Sequence, residues 1–222
     1  MLDNKKAVIF DLDGTIVDSM WIWTTVDEEY MAKYHLAMPP HFHEQMEGMS
    51  YTETAQYFID SFPSLNKTID EVKNEWHEMV YEKYAHEVQL KAGVYNFITD
   101  IRERGLKCGI ATSNGRALVD TVLYELKINH LFDAVRTSCE VSAGKPAPDV
   151  YLKVAEDLQV RPEHCLVFED VPMGILAGRN AGMTVCGVDD SFSRHQEERK
   201  KSLADYYIYN YDDIRRKTYE VL

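Results

Sequence analysis

The chain has 222 residues, 45% hydrophobic and 27% charged, with a formal net charge of −13 at pH 7. That is the composition of an ordinary soluble globular protein, long enough for one good core and a smaller attachment. No apolar stretch nears the ~20 residues that span a membrane. The negative balance argues against nucleic acid or an anionic membrane as partner, although a bound metal ion could still admit an anionic substrate.

In chain order, Met1-Leu2-Asp3-Asn4-Lys5-Lys6 leaves no room for a signal peptide before the first strand, predicted over residues 6–11, and a cytoplasmic setting is expected. Residues 17–90 follow, rich in aromatic and charged side chains. Val72, Trp76, Met79, Val80 and Lys83-Tyr84 recur at helical spacing, which predicts four or so helices and no strand. Strands are then predicted over residues 106–112, 133–137, 164–169, 183–188 and 206–209. Helices are predicted near 93–104, 116–127, 147–158 and 172–181. Such alternation implies a parallel α/β sheet with helices on both faces. The helical segment 17–90 interrupts it, so residues 1–16 and 91–222 are expected to form a Rossmann-like core and 17–90 an inserted helical cap, hinged near 16–18 and 88–93. Four widely spaced cysteines, Cys108, Cys139, Cys165 and Cys186, include no Cys-x-x-Cys pair and are expected to be reduced.

Four clusters of polar residues fall where a predicted strand gives way to a turn. After Val8-Ile9-Phe10 come Asp11-Leu12-Asp13-Gly14-Thr15. Side chains two apart on a strand share a face, so in an extended backbone Asp11 and Asp13 would sit ~7 Å apart, a costly arrangement without a cation. Thr112-Ser113-Asn114-Gly115 follows the strand at 106–112; it could hold phosphate oxygens or simply cap a helix. Gly144-Lys145-Pro146-Ala147-Pro148-Asp149 fixes Lys145 in a rigid turn, either to meet a phosphoryl group or to stand in solvent. Phe168-Glu169-Asp170 offers hard oxygen ligands for Mg²⁺, or charges suited to a helix N-terminus. Gly174, Gly178 and Gly182, at spacing four, are read as one helix face packed closely on the sheet.

The four clusters together, in this order, resemble the haloacid dehalogenase superfamily over essentially the full chain. The helical insertion after the first motif resembles the subgroup containing β-phosphoglucomutase and phosphoglycolate phosphatase. The resemblance implies a Mg²⁺-dependent phosphoric monoester hydrolase acting on a small phosphorylated metabolite. Asp11 would be the nucleophile that becomes an aspartyl-phosphate, and Asp13 the general acid and base. Ser113, Asn114 and Lys145 would bind the transferring phosphoryl group. Metal would be held by Asp11, the backbone carbonyl of Asp13, Asp170 and, directly or through water, Glu169. The mutase pattern has a histidine twelve residues after the nucleophile and an arginine after a Gly-x-Ser turn. Here Trp23 and Tyr51 stand at those places, which favours a phosphatase over a phosphomutase or a non-catalytic phosphate-binding module. Trp21, Trp23 and Tyr51 are candidates for the pocket or for cap core. His35, His41, His43, His77 and His86 lack metal-ligand spacing and receive no role. Nothing demands an oligomer, and a monomer is expected.

Overall fold

Ala7-Val8-Ile9-Phe10 forms β1, an interior strand of the main sheet in a computed structural model that describes residues 1–222. The other strands are β2 (Val17–Asp18), β3 (Gln89–Leu90), β4 (Lys107–Thr112), β5 (Ala134–Thr137), β6 (Cys165–Glu169), β7 (Thr184–Val188), β8 (Tyr206–Ile208) and β9 (Glu220–Val221). The helices are α1 (Met20–Lys33), α2 (Phe42–Met46), α3 (Tyr51–Ser61), α4 (Ile69–His86), α5 (Val94–Glu103), α6 (Arg116–Glu125), α7 (Asp149–Asp157), α8 (Pro172–Asn180), α9 (Glu197–Leu203) and α10 (Asp212–Arg216).

Seven strands form the main sheet in the order β5-β4-β1-β6-β7-β8-β9, parallel except for the last pair. β1 is buried at every residue, as a strand covered on both faces must be. Its alternate side chains serve two layers. Val8 and Phe10 join the larger core with α5, α6 and the helices between β2 and β3, while Ala7 and Ile9 join the smaller one with α7 and α8. From β1 the chain builds outward through β4 and β5, then crosses back to β6 on the other side. The strand order therefore reverses at β1, and a crevice opens at the carboxyl ends of the strands there. The expected α/β class with a Rossmann-like sheet is observed, and no helix is long and apolar enough to cross a membrane.

Between β2 and β3 lie α1–α4. Capping boxes start two of them, Ser50 with Glu53 on α3 and Thr68 with Glu71 on α4. On α4, Val72, Trp76, Val80 and Tyr84 are buried at a spacing of four. The prediction of no strand over 17–90 is corrected at both ends. Val17 pairs with Leu90 and Asp18 with Gln89 in a short antiparallel ladder. Two-residue strands carry no periodicity to read. The charged α9 and the five-residue α10 were likewise not predicted.

The reading of three glycines on one helix face also needs correcting. Gly178 packs against Val167 and Val185 of the sheet. A side chain on Gly174 would instead overlap the Glu169 carboxylate. Gly182 lies past the end of α8 in the left-handed region (φ 76°), with open space where a Cβ would stand, and ends the helix there. All four cysteines are free, three buried and Cys139 exposed.

Candidate active site

The four polar clusters converge at the carboxyl edge of the sheet. Asp11 follows β1, Ser113 and Asn114 follow β4, Lys145 lies in the turn before α7, and β6 ends in Glu169 with Asp170 next. Gly14 bends the chain away after β1. Its φ is 77°, and a Cβ there would overlap the Asp170 carboxylate, so glycine lets the first turn close down on the fourth.

Asp11 and Asp13 have parted company. Lys145 Nζ donates to Asp11 Oδ1 at 2.6 Å and to Glu169 Oε1 at 2.5 Å, with all three side chains buried. Tyr151 donates to the same Glu169 oxygen at 2.9 Å, and the N–H groups of Asp170 and Val171 donate to its other one. Asp13 faces uncharged donors instead. It accepts from Ser19 Oγ at 2.6 Å, from Tyr84 Oη at 2.5 Å and from Asn114 Nδ2 at 2.9 Å. Asn114 Nδ2 also donates to Tyr84 Oη at 3.0 Å.

One carboxylate trio is short of positive charge. Ligand oxygens of Asp11, Glu169 and Asp170 lie within 4.8 Å of one another, and all three residues are buried. Burial pushes the Asp11 carboxyl up to about 8 even with the Lys145 ammonium beside it. Burial, then the Glu169 and Asp11 charges, push Asp170 up as well. The carboxylates of Asp11 and Glu169 hold the Lys145 ammonium above its ordinary range against the effect of its own burial. Thr15 donates to Asp170 Oδ1 at 3.1 Å, while Asp170 Oδ2 is buried with no hydrogen-bond partner. An orphaned carboxylate oxygen beside two further carboxylates is a donor set that fits a divalent cation.

Above this edge, α1–α4 enclose a cavity of about 260 Å³ lined by residues of both regions. The turn 47–51 anchors it. Glu47 accepts from the Met173 N–H at 3.1 Å and from Gln196 at 2.8 Å. Ser113 Oγ donates to the Gly48 carbonyl at 3.2 Å, and the Tyr51 N–H donates to the Ser113 carbonyl at 2.9 Å. Ser113 thus stands at the base of the cavity with its hydroxyl on the turn, and Asn114 turns its amide toward Asp13. Trp23 and Tyr51 line the cavity; Trp21 does not, and is 40% exposed.

Three residues that sequence reading left without a role belong here. Tyr84 joins the Asp13 cluster; its place on the buried stripe of α4, where a tyrosine hydroxyl needs a partner, was the available signal. Asp27 and His43 line the cavity as a pair, Nδ1 to Oδ2 3.3 Å. They lie on separate helices, and no sequence spacing could have joined them.

Residues 8–188 match the model of the haloacid dehalogenase-like hydrolase family. The chain belongs to that family. Among its relatives, a Bacillus subtilis β-phosphoglucomutase is 30% identical, over 82% of this chain and 83% of its own length. An Arabidopsis thaliana bifunctional riboflavin kinase/FMN phosphatase is 27% identical over 95% of this chain, which spans only about half (55%) of that longer protein. CbbY from Rhodobacter sphaeroides, solved in complex with phosphate, superposes with a TM-score of 0.79 at 21% identity, covering 95% of this chain and 96% of that one, and so shares the fold. Membership makes this chain an enzyme, as expected from its motifs, and its acidic trio could bind the metal ion that the family uses.

Proposed function

We propose that this hydrolase is a Mg²⁺-dependent phosphatase of a small phosphomonoester, with Asp11 as nucleophile and Asp13 as general acid and base. The observation that carries the reading is the divergence of the two aspartates. Asp11 lies against a cation and two carboxylates, whereas Asp13 lies among neutral donors on the side of the inserted helices.

Asp11, Asp170 and the backbone carbonyl of Asp13 would hold the ion, with Glu169 beside them. When bound, Mg²⁺ supplies positive charge that keeps Asp11 ionised and offsets the charge of the phosphoryl oxygens. Asp11 Oδ attacks phosphorus, a P–O bond forms to the enzyme, and the ester P–O bond breaks. Asp13, protonated for this step, gives its proton to the departing alkoxide. The same carboxylate then takes a proton from water as the water oxygen attacks phosphorus, releasing inorganic phosphate and restoring Asp11. Lys145 contributes a fixed ammonium, and the Ser113 hydroxyl can exchange its Gly48 carbonyl for a phosphoryl oxygen. The cavity would exclude bulk water while the alcohol leaves.

Trp23 and Tyr51 line that cavity where a mutase would place its histidine and arginine, which supports hydrolysis over phosphoryl transfer back to a sugar. The test is release of inorganic phosphate from p-nitrophenyl phosphate with Mg²⁺. Asp11→Asn should lower the rate at least about a thousandfold. Activity that persists in that variant, or in excess chelator, refutes the mechanism. Interconversion of sugar 1- and 6-phosphates without net phosphate release would make the enzyme a mutase.

A further inference from the structure

The chemistry of the cavity lining bears on the leaving alcohol. Its walls are aromatic: Trp23, Tyr51, Trp76 and Phe192. Lys145 is the one lysine or arginine among its lining residues, and its ammonium is already shared by Asp11 and Glu169. Nothing of fixed positive charge is left for a second anion, whereas Glu44 and Glu47 add negative charge to the lining.

The line of α1 sets the direction. Met20, at its start, stands beside Gly14 at the reacting edge. The Trp23 ring packs 6.0 Å from that of Tyr84, whose hydroxyl reaches Asp13. Asp27 follows one turn later, ~6 Å farther along the axis. Its carboxylate is 16% exposed and meets a single ionisable side chain, the His43 imidazole, at 3.3 Å. Burial pushes Asp27 up to about 7 and lowers His43, so neither makes the other a strong ion pair. Trp76 is near the same place. Its ring centroid is 5.9 Å from that of Tyr30, one turn past Asp27 on α1, and 5.7 Å from that of Tyr51. Trp76 is 3% exposed, and its indole N–H is buried with no hydrogen-bond partner. The far end of the cavity therefore carries one reachable carboxylate, Asp27, beside the Trp76 ring, whose N–H is itself closed off from the cavity.

We propose that Asp27 forms a distal subsite that reads the far end of the leaving alcohol by accepting a hydrogen bond from it, beside the aromatic ring of Trp76. The favoured substrates are then monophosphate esters of uncharged alcohols with a hydroxyl or carboxamide at that end. Bisphosphates and phosphocarboxylates are disfavoured, because their second anion would meet Asp27 with no cation to balance it. This inference rests on the phosphatase reading above.

Alkyl phosphates of increasing chain length, ending in hydroxyl, carboxamide, methyl, carboxylate or phosphate, test it through kcat/KM for phosphate release at saturating Mg²⁺. At the best length, the hydroxyl and carboxamide ends should exceed the carboxylate and phosphate ends by about tenfold or more. Asp27→Leu should bring the hydroxyl-to-methyl ratio close to one, and Asp27→Asn should shrink the penalty on the carboxylate end. Each ratio is internal to one protein, so a variant that folds only in part still reports it, and Asp27→Asn nearly preserves the shape of the native side chain. A carboxylate end that matches the hydroxyl end, or ratios unmoved in the Asp27 variants, overturns the subsite while leaving the phosphatase standing. No phosphate release from any of these esters or from p-nitrophenyl phosphate overturns the phosphatase reading, and the subsite with it.

Discussion

Tyr84→Phe isolates one donor in the group that holds Asp13. The ring stays, with its packing against Trp23 at 6.0 Å, and only the buried hydroxyl is lost. Asp13 keeps Ser19 at 2.6 Å and Asn114 at 2.9 Å, and Asn114 loses its competing contact with Tyr84. A hydrogen bond to a charged group contributes about 1.5–3 kcal/mol, and two surviving donors put the loss at the lower end. At 1.4 kcal/mol per factor of ten, kcat should fall about tenfold. The fall should depend on the alcohol released. An alkyl ester needs its leaving oxygen protonated, whereas p-nitrophenolate leaves with little help, so kcat should drop more for the alkyl ester. Steady-state phosphate release with both esters at saturating Mg²⁺ measures this. An equal drop for both, or a change in KM alone, would refute the idea that Tyr84 acts through Asp13.

Gly174→Ala would place a methyl group on the Glu169 carboxylate and push it off Lys145 and Tyr151. Disturbing a buried ion pair costs about 3 kcal/mol or more, so Tm should fall about 10 °C by differential scanning fluorimetry. Mg²⁺ at about a hundred times its Kd should stabilise the wild type by about 2.7 kcal/mol. Asp170→Asn, which removes one of three crowded negative charges, should shrink that rise in Tm; a wild-type Tm indifferent to Mg²⁺ would count against the metal site. Among the inserted helices, partial burial works to raise Glu75, but hydrogen bonds from Tyr34 and Tyr30, then Lys67 and Lys33, bring it down to about 2. A depressed carboxyl stabilises the fold above its unfolded value and loses that contribution as pH falls through the folded one. Glu75→Gln should therefore flatten the decline of Tm between about pH 4.5 and 2.

The sheet and its edge were legible because each site follows an apolar run and ends it. Val8-Ile9-Phe10 and Leu166-Val167-Phe168 can only be buried strands, so the acids after them had to emerge at one edge. The inserted helices were legible as helices but not as partners. Tyr84 and Asn114, 30 residues apart, meet over Asp13 through the packing of α4 against α6, and one sequence does not encode that pairing as a pattern. Asp27 and His43 belong to the same class. Gly174 was visible and misassigned, since spacing alone cannot separate a glycine that admits a sheet from one that admits a carboxylate.

The ladder of β2 and β3 has a consequence for how such a protein can change. The chain departs at Val17 and returns at Leu90, and paired Cα atoms on such a ladder stand about 5 Å apart. No strand of the main sheet pairs with the segment strung between those two points. A tight hairpin turn could close the same gap, as could a longer or a different bundle. The segment is in that sense a cassette. Asp27, His43, Trp76 and Tyr84 all lie within it, whereas Asp11, Lys145, Glu169 and Asp170 do not. Exchanging the segment at its two joins, beside Val17 and Leu90, would change the residues around the leaving alcohol while every strand pairing of the main sheet stays in register.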